Sequence, residues 1–257
     1  MRLFLIRVRD LLARRRFDRD HRNRWPIATS PAFTSFDADH AFHESYEAAQ
    51  AATQMSSSDN PWRRQRHFVL RGLVDHALSV PGDFVECGCW RGLSAIQIAA
   101  AIRRSGTPHS FLIFDSFEGL SEFREEDKAG PSYVAERELE VRKTFVAGES
   151  IVRSNLEEFA DFCEYYAGWI PARFEEMKDR RFSFVHVDVD LHDPTRDCLD
   201  FFWPRLAVGG VLLIDDYGHS SYPGSQIAVD TFRGSLAGGE AFFSVLAAGN
   251  AFLLKLR

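Results

Sequence analysis

Cysteine is scarce in this chain, with only Cys87, Cys89, Cys163 and Cys198 among 257 residues. The Cys-x-Cys spacing of the first pair matches neither a zinc knuckle nor a Cys-x-x-Cys redox pair. All four fall in segments of strand or helix character. They read as small buried hydrophobes, and their free state fits the cytoplasm. No apolar run is long enough to span a bilayer. A basic excess is missing too: the formal charge is −6, and no Lys/Arg patch interleaved with aromatics occurs in the main body. That speaks against any general affinity for nucleic acid. The N-terminus lacks the long uncharged core of a secretory signal.

Core material, by contrast, is plentiful. Hydrophobic residues make up 45% of the chain and aromatics 13%, with 23 phenylalanines. This composition fills a globular interior and does not suit a disordered chain. The length fits one large α/β domain with lids better than two small domains.

The first 24 residues depart from the overall acidity, with nine arginines against three aspartates. Leu3, Phe4, Ile6, Leu11 and Leu12 add a partial helical stripe. An amphipathic helix at an anionic membrane surface fits this pattern. Packing on a partner subunit, or a loosely ordered extension, is the plainer alternative. Residues 25–60, rich in Ser, Ala, Asp, Thr and Pro, read as a linker and part of a cap.

Beyond Trp62 the pattern alternates. A helix is expected over 62–79, a strand over 83–87, a helix over 93–103, and a strand over 110–114 that ends at Asp115. The charged stretch 121–150 reads as a solvated excursion or a mobile lid. A helix over 155–162 and a short strand over 163–167 follow. Pro194 suits the first turn of the next helix, with Asp193 as its candidate N-cap, and Gly209-Gly210 ends the connection. Strands over 242–246 and 251–256 flank Ala247-Ala248-Gly249-Asn250 as a hairpin. The sum is a mostly parallel sheet with a terminal antiparallel hairpin.

Two apolar runs stop in acids: Phe184-Val185-His186-Val187-Asp188-Val189-Asp190 and Val211-Leu212-Leu213-Ile214-Asp215-Asp216. Ligands of open α/β sheets sit at the carboxyl ends of the strands. Alternation along the strand puts Asp188 and Asp190 on one face. Carboxylates gathered there repel one another unless a cation or protons intervene, and an oxygen-rich cluster suits magnesium. Asp188, Asp215 and Asp216 are the candidate metal ligands. His186, inside an apolar strand, is expected to be a hydrogen-bonded core residue. Tyr217, His219 and Tyr222 are candidates to line an acceptor pocket.

The segment Glu86-Cys87-Gly88-Cys89-Trp90-Arg91-Gly92-Leu93-Ser94 is a strand end, a glycine-punctuated turn and a helix start. Its glycines let the backbone approach a ligand, and the helix N-terminus offers unpaired N–H groups. Asp115, ending the next strand, can bind a ribose diol through two charge-assisted hydrogen bonds. Trp90 and Leu93 stand where a dinucleotide fingerprint needs glycine, and Glu86 would repel a diphosphate. Glu86 can instead accept from a cationic amine such as the methionine end of S-adenosylmethionine. The methyl donor is favoured over NAD.

Glu86-x-Gly88-x-Trp90-x-Gly92 and Asp115-Ser116-Phe117-Glu118-Gly119-Leu120 resemble the macrocin-type sugar O-methyltransferases of macrolide and aminocoumarin biosynthesis. So do Asp188-Val189-Asp190-Leu191-His192-Asp193-Pro194-Thr195 and Gly209-Gly210-Val211-Leu212-Leu213-Ile214-Asp215-Asp216-Tyr217-Gly218. The resemblance runs from about Trp62 to Arg233. It implies a Rossmann-like class I methyltransferase fold and magnesium-dependent methyl transfer to a hydroxyl of a sugar or other vicinal diol. Asp188, Asp215 and Asp216 match that family's metal carboxylates, and Asp190 its general base. Glu86, Gly88, Gly92, Ser94, Asp115 and Ser116 fall at the donor site. Where the family often has Tyr-Glu, this chain has His192-Asp193. The expected organisation is an arginine-rich extension and cap over 1–61 and a methyltransferase domain over 62–257, with 121–150 as lid. The expected protein is a cytoplasmic homo-oligomer whose partner is a small glycoside or diol. Two rival readings stand beside this one: a non-catalytic nucleotide-binding or assembly protein docking through its arginine-rich arm, and an NAD-linked oxidoreductase, which Trp90 argues against.

Overall fold

Helix-forming stripes and buried strand runs account for most of the architecture. The computed structural model describes residues 39–55, 59–131, 133–219 and 223–257. The arginine-rich segment 1–24 and Tyr222 lie outside the described residues. The chain divides into two compact units, Met1–Phe68 and Val69–Arg257.

In the first unit, α1 spans His40–Thr53, where the composition reads as linker. Its buried Phe42, Tyr46, Ala49 and Thr53 recur at helical spacing, a narrow stripe hidden among polar residues. Asp39 caps it by accepting from the Phe42 N–H at 2.8 Å. Phe42 meets Phe68 edge to face, and Tyr46 donates to Asp59 at 3.0 Å. Helix α2, Pro61–Ala77, starts with proline, which needs no N–H in a first turn.

The second unit is built on β1 (Asp83–Cys87), α3 (Leu93–Ser105), β2 (Phe111–Asp115), α4 (Glu125–Lys128) and α5 (Glu138–Lys143). Helix α6 (Glu149–Asn155), β3 (Cys163–Ala167), β4 (Phe182–Val187) and α7 (His192–Phe202) follow. Strand β5 (Leu206–Ile214), α8 (Gly224–Ser235), β6 (Ala241–Val245) and β7 (Ala251–Lys255) complete it. The expected helix over 155–162 is instead α6 followed by a single turn of 3-10 helix. Gly209 and Gly210 lie within β5, which begins earlier than expected through pairing of Leu206 with Phe182.

The seven strands run in the order β3-β2-β1-β4-β5-β7-β6. β1 to β5 are parallel, while β7 pairs antiparallel with β5 and β6. Every residue of β4 is buried, as helices on both faces require. One face packs Val85, Val185, Leu212 and Ile214 against Leu199 and Phe202 of α7 and Val229 of α8. The other packs Phe84, Phe184 and Leu213 against Ile98 of α3 and against Leu70 and Val74, which lie in the part of α2 that belongs to this unit. The chain crosses from the β3 edge back to β4, so strand order reverses between β1 and β4 and opens a crevice at their carboxyl ends.

Gly88 follows β1 at φ +84°, and a Cβ there would lie 1.9 Å from the Asp188 carbonyl oxygen. The approach of those two backbones sets the crevice width. Gly88→Ala is expected to cost about 2–4 kcal/mol through strain and overlap. Gly106→Ala, at φ +67° with nothing within 4 Å, should cost only about 1–2 kcal/mol. Urea-unfolding midpoints of the two variants check the difference; equal losses would refute the close-approach account.

Candidate functional site

Backbone hydrogen bonds carry the sheet one residue past its strand ends and set the acids in place. The Asp188 N–H donates to the Cys87 carbonyl at 2.8 Å, and the Asp215 N–H to the Val187 carbonyl at 2.9 Å. Asp188, Asp215 and Asp216 each present a carboxylate oxygen, and these atoms lie within 4.8 Å of one another. Asp188 and Asp215 are half-buried and Asp216 is buried. Burial, then repulsion by Asp215 and Asp216, pushes the Asp188 carboxyl well above the usual carboxylate range. Such a set fits a hard divalent cation, which would remove that repulsion.

One row deeper on the same sheet face sits a buried charge pair. His186 Nδ1 donates to Glu86 Oε1 at 2.8 Å, and Nε2 lies 4.0 Å from Asp215 Oδ1. Burial alone would depress the imidazole, but the carboxylates of Asp215 and Glu86 outweigh it and hold its pKa well above the ordinary value. Glu86 has no exposed surface, and its Oε2 has no hydrogen-bond partner among the described residues. A buried carboxylate oxygen beside the glycine turn is the acceptor a cationic amine needs. The His186 link escapes sequence reading because it depends on the β1–β4 register. The only local signal is matched spacing: Glu86 stands two residues before Gly88, and His186 two before Asp188.

The turn itself is held by Asp115. Its Oδ2 accepts from the N–H groups of Cys89 at 2.7 Å and Trp90 at 3.0 Å, and Oδ1 from Phe117 at 2.7 Å. A carboxylate offers about four lone-pair sites, so about one remains for a ribose hydroxyl, where two bonds were expected. Gly92 precedes α3 at φ +88°, and Trp90 adopts φ +47°, an uncommon turn for a bulky residue. Ser94 is buried in the first turn of α3. Ser116 closes its own loop, donating to the Gly119 carbonyl at 3.0 Å and accepting from Glu118 N–H at 3.1 Å.

Alternation does not extend to Asp190. β4 ends at Val187, and Asp190 sits at φ +61° beside a tight Leu191 N–H to Val189 carbonyl bond of 2.6 Å. Its charge still bears on Asp188. Asp193 is not the N-cap of α7; Leu191 holds that position without a side-chain bond. The capping carboxylate comes from far away: buried Asp127, in α4, accepts from the His192 N–H at 2.8 Å and from the Arg124 N–H at 2.8 Å. Burial raises the Asp127 pKa in spite of those bonds. Asp193 instead accepts from His192 Nδ1 at 2.8 Å and from Arg124 Nε at 2.7 Å. The 121–150 stretch is thus anchored to the start of α7. Tyr217 is buried with its hydroxyl donated to Asp230 at 2.8 Å, so its polar end is spent within the fold.

A parallel sheet with a glycine turn after β1, a ligand crevice at the reversal of strand order and a terminal antiparallel hairpin defines the class I methyltransferase fold. Residues 37–241 match the family described as Macrocin-O-methyltransferase (TylF), and the chain belongs to that family. A rhamnosyl-tetracenomycin-C 4'-O-methyltransferase of Streptomyces olivaceus is 32% identical over 162 residues, covering 60% of this chain and 59% of that protein. Demethyldecarbamoylnovobiocin O-methyltransferase of Streptomyces niveus is 30% identical over 160 residues, with the same coverage of 60% and 59%. The chain therefore spans a little under two thirds of these relatives' lengths. Among solved structures, the O-methyltransferase NovP superposes with a TM-score of 0.61 at 24% identity, covering 76% of this chain and 81% of NovP. A Bacillus cereus O-methyltransferase in complex with SAH has a TM-score of 0.51 at 15% identity, covering 89% and 95%.

The Asp188 shift has a defined sign. A carboxyl whose folded pKa is raised stabilises the fold at low pH, and that contribution is lost as pH rises through the folded value. In chelator-treated protein, stability should fall as pH climbs above about 4, the ordinary carboxylate range, and Asp188→Asn should flatten this slope. Thermal melts across pH check it; parallel profiles for both proteins would contradict the assigned repulsion.

Proposed function

We propose that this protein is an S-adenosylmethionine-dependent, magnesium-assisted O-methyltransferase acting on a hydroxyl of a glycosyl group or other vicinal diol. The observation that carries the reading is the convergence of Asp188, Asp215 and Asp216 beside the Glu86–Gly92 turn in a chain of the macrocin O-methyltransferase family. The two Streptomyces relatives are named for methylation of a rhamnosyl-tetracenomycin and of a novobiocin precursor. The Bacillus neighbour's bound SAH favours the sulfonium donor.

On this reading Glu86 faces the donor's ammonium, and the N-terminus of α3 closes the donor pocket. The carboxylate triad would hold the cation, which when bound lends Lewis acidity to an acceptor hydroxyl and fixes its orientation. Asp190 takes the proton from that hydroxyl as its oxygen attacks the methyl carbon. The carbon–sulfur bond breaks in line, the electron pair returns to sulfur, and a thioether leaves. Residues 121–150, pinned by Asp127 and Arg124, form the lid that excludes water from the acceptor.

The test is mass-spectrometric detection of a methylated product from S-adenosylmethionine, magnesium and a panel of rhamnosides and other diols. Donor binding without product from any diol would favour the rival reading of a non-catalytic scaffold. Asp190→Ala is expected to lower kcat by roughly 10²–10⁴-fold, the usual share of a general base, with donor affinity nearly unchanged by calorimetry. Undiminished turnover in EDTA would remove magnesium from the scheme.

A further inference from the structure

The register of the sheet brings a further polar group to the acids. On the face that carries Glu86 and His186, the row Glu86–His186–Leu213–Phe252 crosses β1, β4, β5 and β7. The next row on that face, two residues toward the ligand edge, continues as Gly88, Asp188, Asp215 and Asn250. Asp215 and Asn250 each lie one residue beyond the last paired positions, Ile214 and Ala251. Opposed residues of antiparallel strands carry Cβ atoms about 5 Å apart. The chain after Asp216 returns to the same place, since the Gly218 N–H donates to the Gly249 carbonyl at 2.6 Å.

Asn250 has no exposed surface, and neither Oδ1 nor Nδ2 has a hydrogen-bond partner among the described residues. Its backbone carbonyl is occupied by the Leu246 N–H at 2.8 Å, so the turn needs nothing from the side chain. A buried amide left unmatched penalises the fold, and an apolar residue of the same shape would avoid that cost. Magnesium keeps several waters when bound, and the hydrogens of those waters need acceptors.

We propose that Asn250 is a positioning residue of the cation site, its amide oxygen accepting a hydrogen bond from the hydration shell of the divalent cation that Asp188, Asp215 and Asp216 hold. This rests on the magnesium reading above. The cation's hydration shell would supply the partner that the buried amide lacks among the described residues.

The test is calorimetric titration of chelator-treated protein with magnesium chloride, repeated with manganese chloride by electron paramagnetic resonance, neither of which needs an acceptor. Asn250→Leu should weaken cation affinity roughly 10–100-fold, as loss of an outer contact does. Its cation-free melting temperature should equal or exceed that of the parent, a result that a merely structural amide would reverse. Should the leucine variant fail to fold, Asn250→Ala serves for the affinity measurement. Unchanged affinity in a folded variant overturns the inference while the magnesium reading stands. Absence of magnesium binding by the parent protein overturns both.

Discussion

Like charges at one end of a sheet set the terms on which this molecule folds. At 4.8 Å or less, each pair of ionised carboxylates among Asp188, Asp215 and Asp216 repels by at least about 3 kcal/mol at an effective dielectric of ~20. Three such pairs approach the whole net stability of an ordinary domain, about 5–15 kcal/mol. The arrangement can persist only if something positive answers it. The raised proton affinity of Asp188 and that of His186 are two answers found among the described residues. A divalent cation is a third, and it is the one that would leave all three oxygens as ligands. The ladder bonds from Asp188 and Asp215 to the neighbouring strands keep the acids from moving apart to relieve the repulsion.

Two other acids of the ligand edge, Asp115 and Asp127, are spent differently. Asp115 gives both oxygens to backbone N–H groups and so shapes the glycine turn. Asp127 gives both to Arg124 and His192 and so ties the 121–150 stretch to α7. Each accepts from donors that the fold leaves over at a turn or helix start. The triad instead sets carboxylate against carboxylate, with His186 Nε2 4.0 Å from Asp215 Oδ1.

Patterns carried by consecutive residues were legible without coordinates. β1 and the 163–167 strand fall at their expected bounds, and the terminal hairpin within a residue, because apolar runs and turn residues are local signals. The two acidic strand ends were legible for the same reason. What depends on register was not. The Glu86–His186 pair joins residues a hundred positions apart, and nothing near either names the other. The capping of α7 by Asp127 was invisible because the local candidate, Asp193, offered a sufficient explanation. Helix α1 was missed where polar composition masked its buried stripe, and the alternation argument for Asp190 failed because β4 stops three residues earlier.

That failure explains how the catalytic candidate is held. Asp190 occupies a left-handed backbone conformation that costs a non-glycine residue about 1–2 kcal/mol. Strain of this kind survives only where the flanking structure over-determines it. Two residues before it, the Asp188 N–H is locked to Cys87; two residues after it, the His192 N–H is locked to buried Asp127. The first anchor belongs to the carboxylate cluster and the second to the 121–150 stretch. His192 is fixed further by Asp193, which Arg124 of that stretch also grips. The geometry of Asp190 is therefore the joint product of the sheet and the excursion. Undocking the excursion would release the anchor at His192, so the backbone conformation at Asp190 is tied to the docking of that stretch.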